Sequence, residues 1–439
     1  MSGSGTFLNL FRTLRHRNYR LFFGGQLISL IGTWMQQVAL TWLVYRLTNS
    51  AFLLGVVAFS SQLPAFLIGP FAGVIADRMN RHRIIIATQC LAMMQAIILS
   101  VLSFTGAVQV WHIISLGLFL GIINAFDMPA RQSFVLDMIE HREDLSNAIA
   151  LNSSMFNAAR LVGPAIAGLT IGVLGEGACF VLNAISYIPV IMALSAMKLA
   201  PVVATPNRRG VIPEFREGLS YVARSAPIST ILLFVAVVSI VGMQYTVLMP
   251  VLAKDILQGG PNTFGFLMGS TGVGAVIGAL TLASRKTVVG LGRWIPIAGG
   301  IFGAGLVALA LSRSLSLSMA LLLLTGFGMM VQLASSNTIL QTIADDDKRG
   351  RVMSFYVMAF MGMAPFGSLL AGWIASTYGA PATLAASGCV CMAGALVFAT
   401  RLPSLRKEIR PIYSRLGIIP EVSTGVQVAT HITMPPSGE

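Results

Sequence analysis

A single arginine, Arg160, stands inside an otherwise apolar stretch of the chain, and it is the residue best placed to do chemistry. It lies about fifteen residues into the run 146–174, roughly 22 Å along a helix. A guanidinium near the middle of a bilayer costs about 2.5–3.5 kcal/mol, so its head must face a central cavity or a polar partner. Ser153, Asn157, Arg160 and Pro164 recur at intervals of four, three and four, which places them on one helical face. That face either binds a polar solute or supplies a counter-charge beside it. The competing reading is an arginine bonded to backbone carbonyls to fix two helices together.

Other polar residues in apolar runs are Gln26, Thr33 and Gln37, which share one face, with Asn124, Gln244, Tyr245, Gln332 and Asn337. A buried amide taken singly is more often an interhelical bond than a ligand. Trp34, Phe355, Tyr356, Met358 and Met361 could line an adaptable apolar cavity. No Asp or Glu sits near mid-run, and Asp127 is the nearest acid. The four cysteines lie in apolar runs without metal-ligand spacing, so neither a metal nor a redox role is expected. No phosphate-binding loop, His-Glu-x-x-His or Gly-x-Ser-x-Gly pattern occurs, so no cofactor and no enzymatic activity are expected.

These residues need a membrane to position them. Of the 439 residues, 55% are hydrophobic and 10% are charged. Soluble domains carry about 25% charge, so this chain has too little to cover a water-facing surface. Twelve apolar runs emerge, each near the roughly 20 residues a spanning helix needs. Six occupy 20–45, 51–75, 83–105, 110–130, 146–174 and 177–198; six more occupy 227–253, 263–284, 291–311, 315–341, 351–377 and 380–401. The domains are therefore an N-terminal half (1–198), a linker (199–226), a C-terminal half (227–402) and a tail (403–439).

Charge sets the orientation. With both termini in the cytoplasm, 25 of the 29 Lys and Arg residues fall on the inner side, leaving Arg46, Lys254 and Arg313 outside and Arg160 within a span. The same clustering at run ends explains the net charge of +13 without nucleic acid. No cleavage site closes an early apolar run, so the N-terminus is expected in the cytosol. The halves echo one another: Pro164 and Pro365 lie 201 residues apart in corresponding runs, each preceded by a charged loop. Such duplication suits a transporter more than an oligomeric channel.

Between the second and third runs stand Gly73, Asp77, Arg78, Arg81 and Arg83, with Asn80 where a glycine is usual. This loop resembles the signature of the major facilitator superfamily, Gly-x-Leu-Ala-Asp-Arg-x-Gly-Arg-Arg. Asn80 is expected to take the left-handed turn conformation that the glycine would. Gly163, Pro164 and Gly168, with Ala159 and Ala167, resemble the superfamily's antiporter motif, Gly-x-x-x-Gly-Pro-x-x-Gly-Gly; ordinary close helix packing would also favour such small residues. The opening segment 11–23, the stretch 127–132 and the segment 349–354 resemble the bacterial branch containing the enterobactin exporter and macrolide-efflux-like proteins.

The resemblance implies an all-α membrane protein: twelve transmembrane helices in two six-helix pseudo-symmetric bundles, the major facilitator fold. It implies that Gly73, Asp77, Arg78, Arg81 and Asp127 form a conformational latch. It further implies export of a siderophore or drug-like amphipathic molecule by alternating access, with a proton as coupling ion. Arg160, Asn157, Gln37, Thr33, Gln26, Gln332 and Asn337 are the substrate-binding candidates. The partners expected are a small-molecule substrate, a proton and the lipid bilayer of the bacterial inner membrane, with the chain acting as a monomer. An importer of the same architecture, or a channel or scaffold, are the alternatives.

Overall fold

The computed structural model describes residues 12–139, 144–197, 211–285 and 287–418, and every element among them is helical. The first six long helices are α1 (Arg17–Thr48), α2 (Ala51–Arg78), α3 (Arg81–Phe104), α4 (Val110–Asp137), α5 (Leu145–Leu174) and α6 (Glu176–Ser195). The second six are α7 (Ala226–Ile256), α8 (Pro261–Ala283), α9 (Leu291–Leu311), α10 (Leu315–Ile343), α11 (Arg349–Tyr378) and α12 (Ala380–Arg415). All twelve are long and apolar enough to cross a bilayer. Large apolar side chains such as Val173, Leu280 and Leu396 remain exposed on the outer surface, as a lipid-facing protein requires.

Helix pairings repeat with a shift of six. The pairs α2–α4, α3–α6 and α1–α6 are matched by α8–α10, α9–α12 and α7–α12. The α5–α6 turn at Gly175 (φ 80°) has its counterpart at Gly379 (φ 84°) between α11 and α12. Both positions need the left-handed region that a Cβ disfavours. The halves meet along α2–α11 and α5–α8, again a symmetric pair.

Three local features depart from the sequence reading. Asn80 is extended (φ −69°, ψ 106°) and caps α3, its side chain accepting from the Arg83 backbone N–H at 3.2 Å. It serves the helix start as an acceptor, and no left-handed turn forms there. The last helix runs to Arg415 instead of ending at 401, because Leu402, Leu405, Ile409 and Ile412 recur at helical spacing and pack on the core. The linker contains an amphipathic helix, Val211–Arg224, seated on the C-terminal half. Phe215 packs on Phe355 with tilted rings at 5.2 Å, Glu217 pairs with Lys348 and Arg351, and the Tyr221 hydroxyl donates to Asp345 at 3.0 Å. Residues 198–210 and the tail from 419 lie outside the described residues.

Helices α7 and α11 are interrupted by wider π turns, Val238–Gly242 and Leu252–Ile256 in α7 and Met358–Gly362 in α11. Such turns free carbonyls that must find other donors inside a membrane. Here the donors are side chains. Ser239 donates to the Phe360 carbonyl, Gln244 donates to the Ser239 carbonyl at 2.9 Å, and Ser368 donates to Gln244 Oε1 at 2.6 Å.

Candidate functional site

Arg160 occupies the seam between the halves. Its guanidinium lies 5.9 Å from the Trp34 ring on α1 and donates to the Met329 sulfur on α10 at 3.8 Å. The Tyr245 hydroxyl on α7 faces Arg160 and Thr271, yet no bond of good geometry closes on it. Trp34 in turn meets Phe156 edge-on at 5.8 Å, and Phe156 lies one turn before Arg160 on α5. Elements from both halves therefore converge on one cation. Its partners are soft: a ring face contributes about 0.5–2 kcal/mol and a thioether is a weak acceptor. Among the described residues, no carboxylate pairs with Arg160.

The glycines of α5 explain how the seam can be this tight. A Cβ on Gly163 would lie 2.5 Å from the Trp34 Cβ, and one on Gly168 would lie 2.9 Å from the Gly265 Cα on α8. Pro164 presents its carbonyl to Gly265. Gly163, Pro164 and Gly168 thus form a crossing with both α1 and α8, where the backbones approach without intervening side chains.

The remaining candidates divide. Gln332 is fully buried near Met329 on α10, and its Oε1 has no partner among the described residues. Gln26 is buried on α1 with an unpartnered Oε1, whereas Thr33 and Gln37 further along the same helix are exposed. Asn157 donates to the Ser153 carbonyl at 2.9 Å and Asn337 accepts from Gln341 at 2.5 Å. Arg160 and Gln332 thus cluster about Met329, while Asn157 and Asn337 are bonded within their own helices.

Asp127 is buried and held by neighbours on α3 and α4. Its carboxylate accepts from Thr88 at 2.7 Å, from Gln89 at 3.0 Å and from Arg131 at 2.9 Å. This ties the two helices together at their basic ends. Arg81 is the first residue of α3; the surroundings of Gly73 and the side chains of Asp77 and Arg78 lie outside what the structure describes.

Sequence reading missed the contacts that close the opposite end of the seam. Tyr45 donates to Asp255, Lys254 donates to Asn49 at 2.6 Å and lies 5.5 Å from the Tyr45 ring, and Trp42 stacks on Phe264 at 6.0 Å. A Cβ on Gly55 would lie 3.1 Å from the Gly372 Cα. Lower down, Phe66 meets Phe366 at 5.5 Å. From Phe66 and Arg160 toward the basic ends, no hydrogen bond or ring contact joins α1–α6 to α7–α12 among the described residues.

Similar proteins share this architecture. The chain is 27% identical to the staphyloferrin A transporter of Staphylococcus aureus over 398 residues, 89% of this chain and 98% of that protein. It is 27% identical to the multidrug efflux pump Tap of Mycolicibacterium fortuitum over 380 residues, covering 84% and 92%. It is 26% identical to macrolide efflux protein A of Streptococcus pyogenes over 280 residues, covering 61% and 67%. Among solved structures, it superposes on the POT family transporter PepTSo with a TM-score of 0.71 at 11% identity, covering 89% of this chain and 99% of that one. A bacterial homolog of the human lysosomal transporter Spinster gives a TM-score of 0.69 at 13% identity, covering 89% and 98%. These two show the major facilitator fold. Residues 9–421 match the family described as transmembrane secretion effector. The chain belongs to that family within the major facilitator superfamily, and is a multi-pass bacterial membrane transporter of small molecules and not an enzyme.

Proposed function

We propose that this transporter is an exporter that works by alternating access, carrying a small amphipathic molecule, siderophore or drug-like, from the cytoplasm against inward proton flow. The observation that carries the reading is the seam: among the described residues, its polar and aromatic closures lie at or beyond the depth of Arg160, on the side away from the basic loops. With those loops in the cytoplasm, as their charge favours, the site at Arg160 is approached from inside and sealed toward the outside. The efflux names of the Tap and macrolide relatives support the same direction. In this reading both termini are cytoplasmic, the chain acts as a monomer, and Asp77 with Arg78, Arg81 and Asp127 forms the inner latch.

Everted membrane vesicles test it. A labelled macrolide and labelled staphyloferrin A, one at a time, are offered at the exposed cytoplasmic face. At least one should accumulate inside, faster with an inside-acid gradient, and Asp77→Asn should slow that uptake with membrane insertion intact. Accumulation of neither, flux indifferent to the gradient, or net movement the other way overturns the reading.

A further inference from the structure

The geometry points to an anionic substrate: the seam holds a binding site for a carboxylate attached to an apolar or aromatic body, with Arg160 as its anion receptor. This deepens the transport reading and rests on it only in calling the bound molecule a substrate.

Arg160 carries a charge that no described carboxylate balances. It has five N–H donors, and among the described residues they meet a thioether, a ring face and the neutral Tyr245 hydroxyl, which closes no bond of good geometry. None of the three carries a negative charge. A guanidinium held this deep in a bilayer is costly, and an anion that takes its donors offsets that cost. Arginine's planar fork matches a carboxylate in two parallel bonds, a geometry lysine cannot offer.

The surroundings select what the carboxylate is attached to. Trp34 and Phe156 form an edge-to-face pair on the same side as Arg160, and Phe156 is 44% exposed. An exposed aromatic beside a cation offers a platform for an apolar body whose charged end reaches the guanidinium. On the other half, Met329 supplies a deformable apolar contact, which accommodates bodies of different shape. The Tyr245 hydroxyl, buried and without a well-formed bond, can donate to the second carboxylate oxygen. Gln332, close to Met329 on α10, carries a buried Oε1 without a partner and fits a donor on the ligand.

Both halves contribute: Trp34, Phe156 and Arg160 from one, Tyr245, Met329 and Gln332 from the other. A ligand bridging them changes the contacts that join the halves, which is what a transported substrate must do to bias a two-state seam. A cationic amphiphile meets repulsion from Arg160, with no described carboxylate nearby to offset it.

Equilibrium dialysis with three probes tests the assignment: 2-naphthylacetate, 2-naphthylethanol and 2-naphthylethylammonium share one ring and differ in charge. The full-length protein is held in phosphatidylcholine nanodiscs, so the lipid brings no net anionic headgroup. The wild type should bind the acetate about tenfold more tightly than the alcohol and the ammonium least, a difference of about 1.4 kcal/mol per tenfold step. Arg160→Gln should bind the acetate and the alcohol alike, its retained alcohol binding showing that the site is still folded. Arg160→Lys should keep part of the preference. No saturable acetate binding by the wild type, equal binding of all three probes, or an acetate preference that survives Arg160→Gln each overturns the proposal. Abolition of the acetate preference by added phosphatidylglycerol would give the site to a lipid headgroup and overturn it as a substrate site. Binding is read without flux, so export can fail while the anion site stands, and the reverse.

Discussion

Tyr45 on α1 donates its hydroxyl proton to Asp255 on α7, so one hydrogen bond passes directly from the first six-helix half to the second. Lys254, the neighbour of Asp255, lies over the face of the same tyrosine ring and donates to Asn49. One aromatic side chain therefore holds two groups of the opposite half.

Tyr45→Phe removes the bond and leaves the Asp255 carboxylate short of a donor. Hydrogen bonds to charged groups contribute about 1.5–3 kcal/mol, enough to shift a two-state seam by tenfold or more. Spin labels at Thr105 and Ser314, on the same end of opposite halves, should show a larger population of long distances. A distribution identical to the wild type's would remove this bond from the closure.

Gly265→Ala drives a Cβ to 2.8 Å from the Gly168 Cα and the Pro164 carbonyl oxygen, where only backbone could move. Overpacking of this kind costs about 1–3 kcal/mol. Thermal unfolding in detergent should come at lower temperature and turnover should fall. Gly269→Ala, one turn along, meets nothing nearer than the Ala165 Cβ at 3.9 Å and should match the wild type.

The ion pair at the base of the N-terminal half makes a separate prediction. Asp127→Asn removes the charge that Arg131 and two neutral donors share. A loss of about 1.5–3 kcal/mol in stability is expected. Combining it with Arg131→Gln should cost less than the two single losses together, as measured by denaturation in a double-mutant cycle.

Glu217 gives a pH dependence. Its hydrogen bonds to Lys348 and then Arg351 hold the carboxyl near pKa about 2, below its ordinary value of 4.5. A carboxylate lowered on docking stabilises the docked state fully above about 4.5 and loses that contribution as pH falls toward 2. The linker helix should therefore stay seated at neutral pH and loosen only in acid. Glu217→Gln should loosen it already at pH 7, read as faster hydrogen exchange across 211–224.

How much of this was legible depends on range. The spans follow from runs of apolar residues, which a bilayer dictates locally, and Arg160 stood out because charge in such a run is costly. Its partners did not: Met329 is 169 positions away, and nothing in one α10 methionine distinguishes it from the others. Tyr45 and Asp255 are likewise 210 positions apart, and each looks like an ordinary polar residue at a helix end. The π turns escaped for another reason. They depend on Ser239 satisfying a carbonyl of α11, 121 positions away, and on Gln244 reaching back to the Ser239 carbonyl of its own helix, and helical periodicity carries no trace of either. Asn80 was misread because glycine and asparagine share turn preferences, while only asparagine brings an acceptor to a helix start.

The α5–α8 crossing at Gly168 and Gly265 has a mechanical consequence. Two backbones in contact at this point would serve as a fulcrum for the proposed rocking, placed close to one end of α5. From Gly168 back to Leu145 the helix spans 23 residues, a lever arm of about 35 Å. A tilt of about 15°, the size of a domain rotation in an allosteric protein, moves the far tip by about 9 Å. The short arm would meanwhile move only about 2 Å, so under the rocking proposed above a small adjustment at the Gly175 end would become a wide aperture at the other.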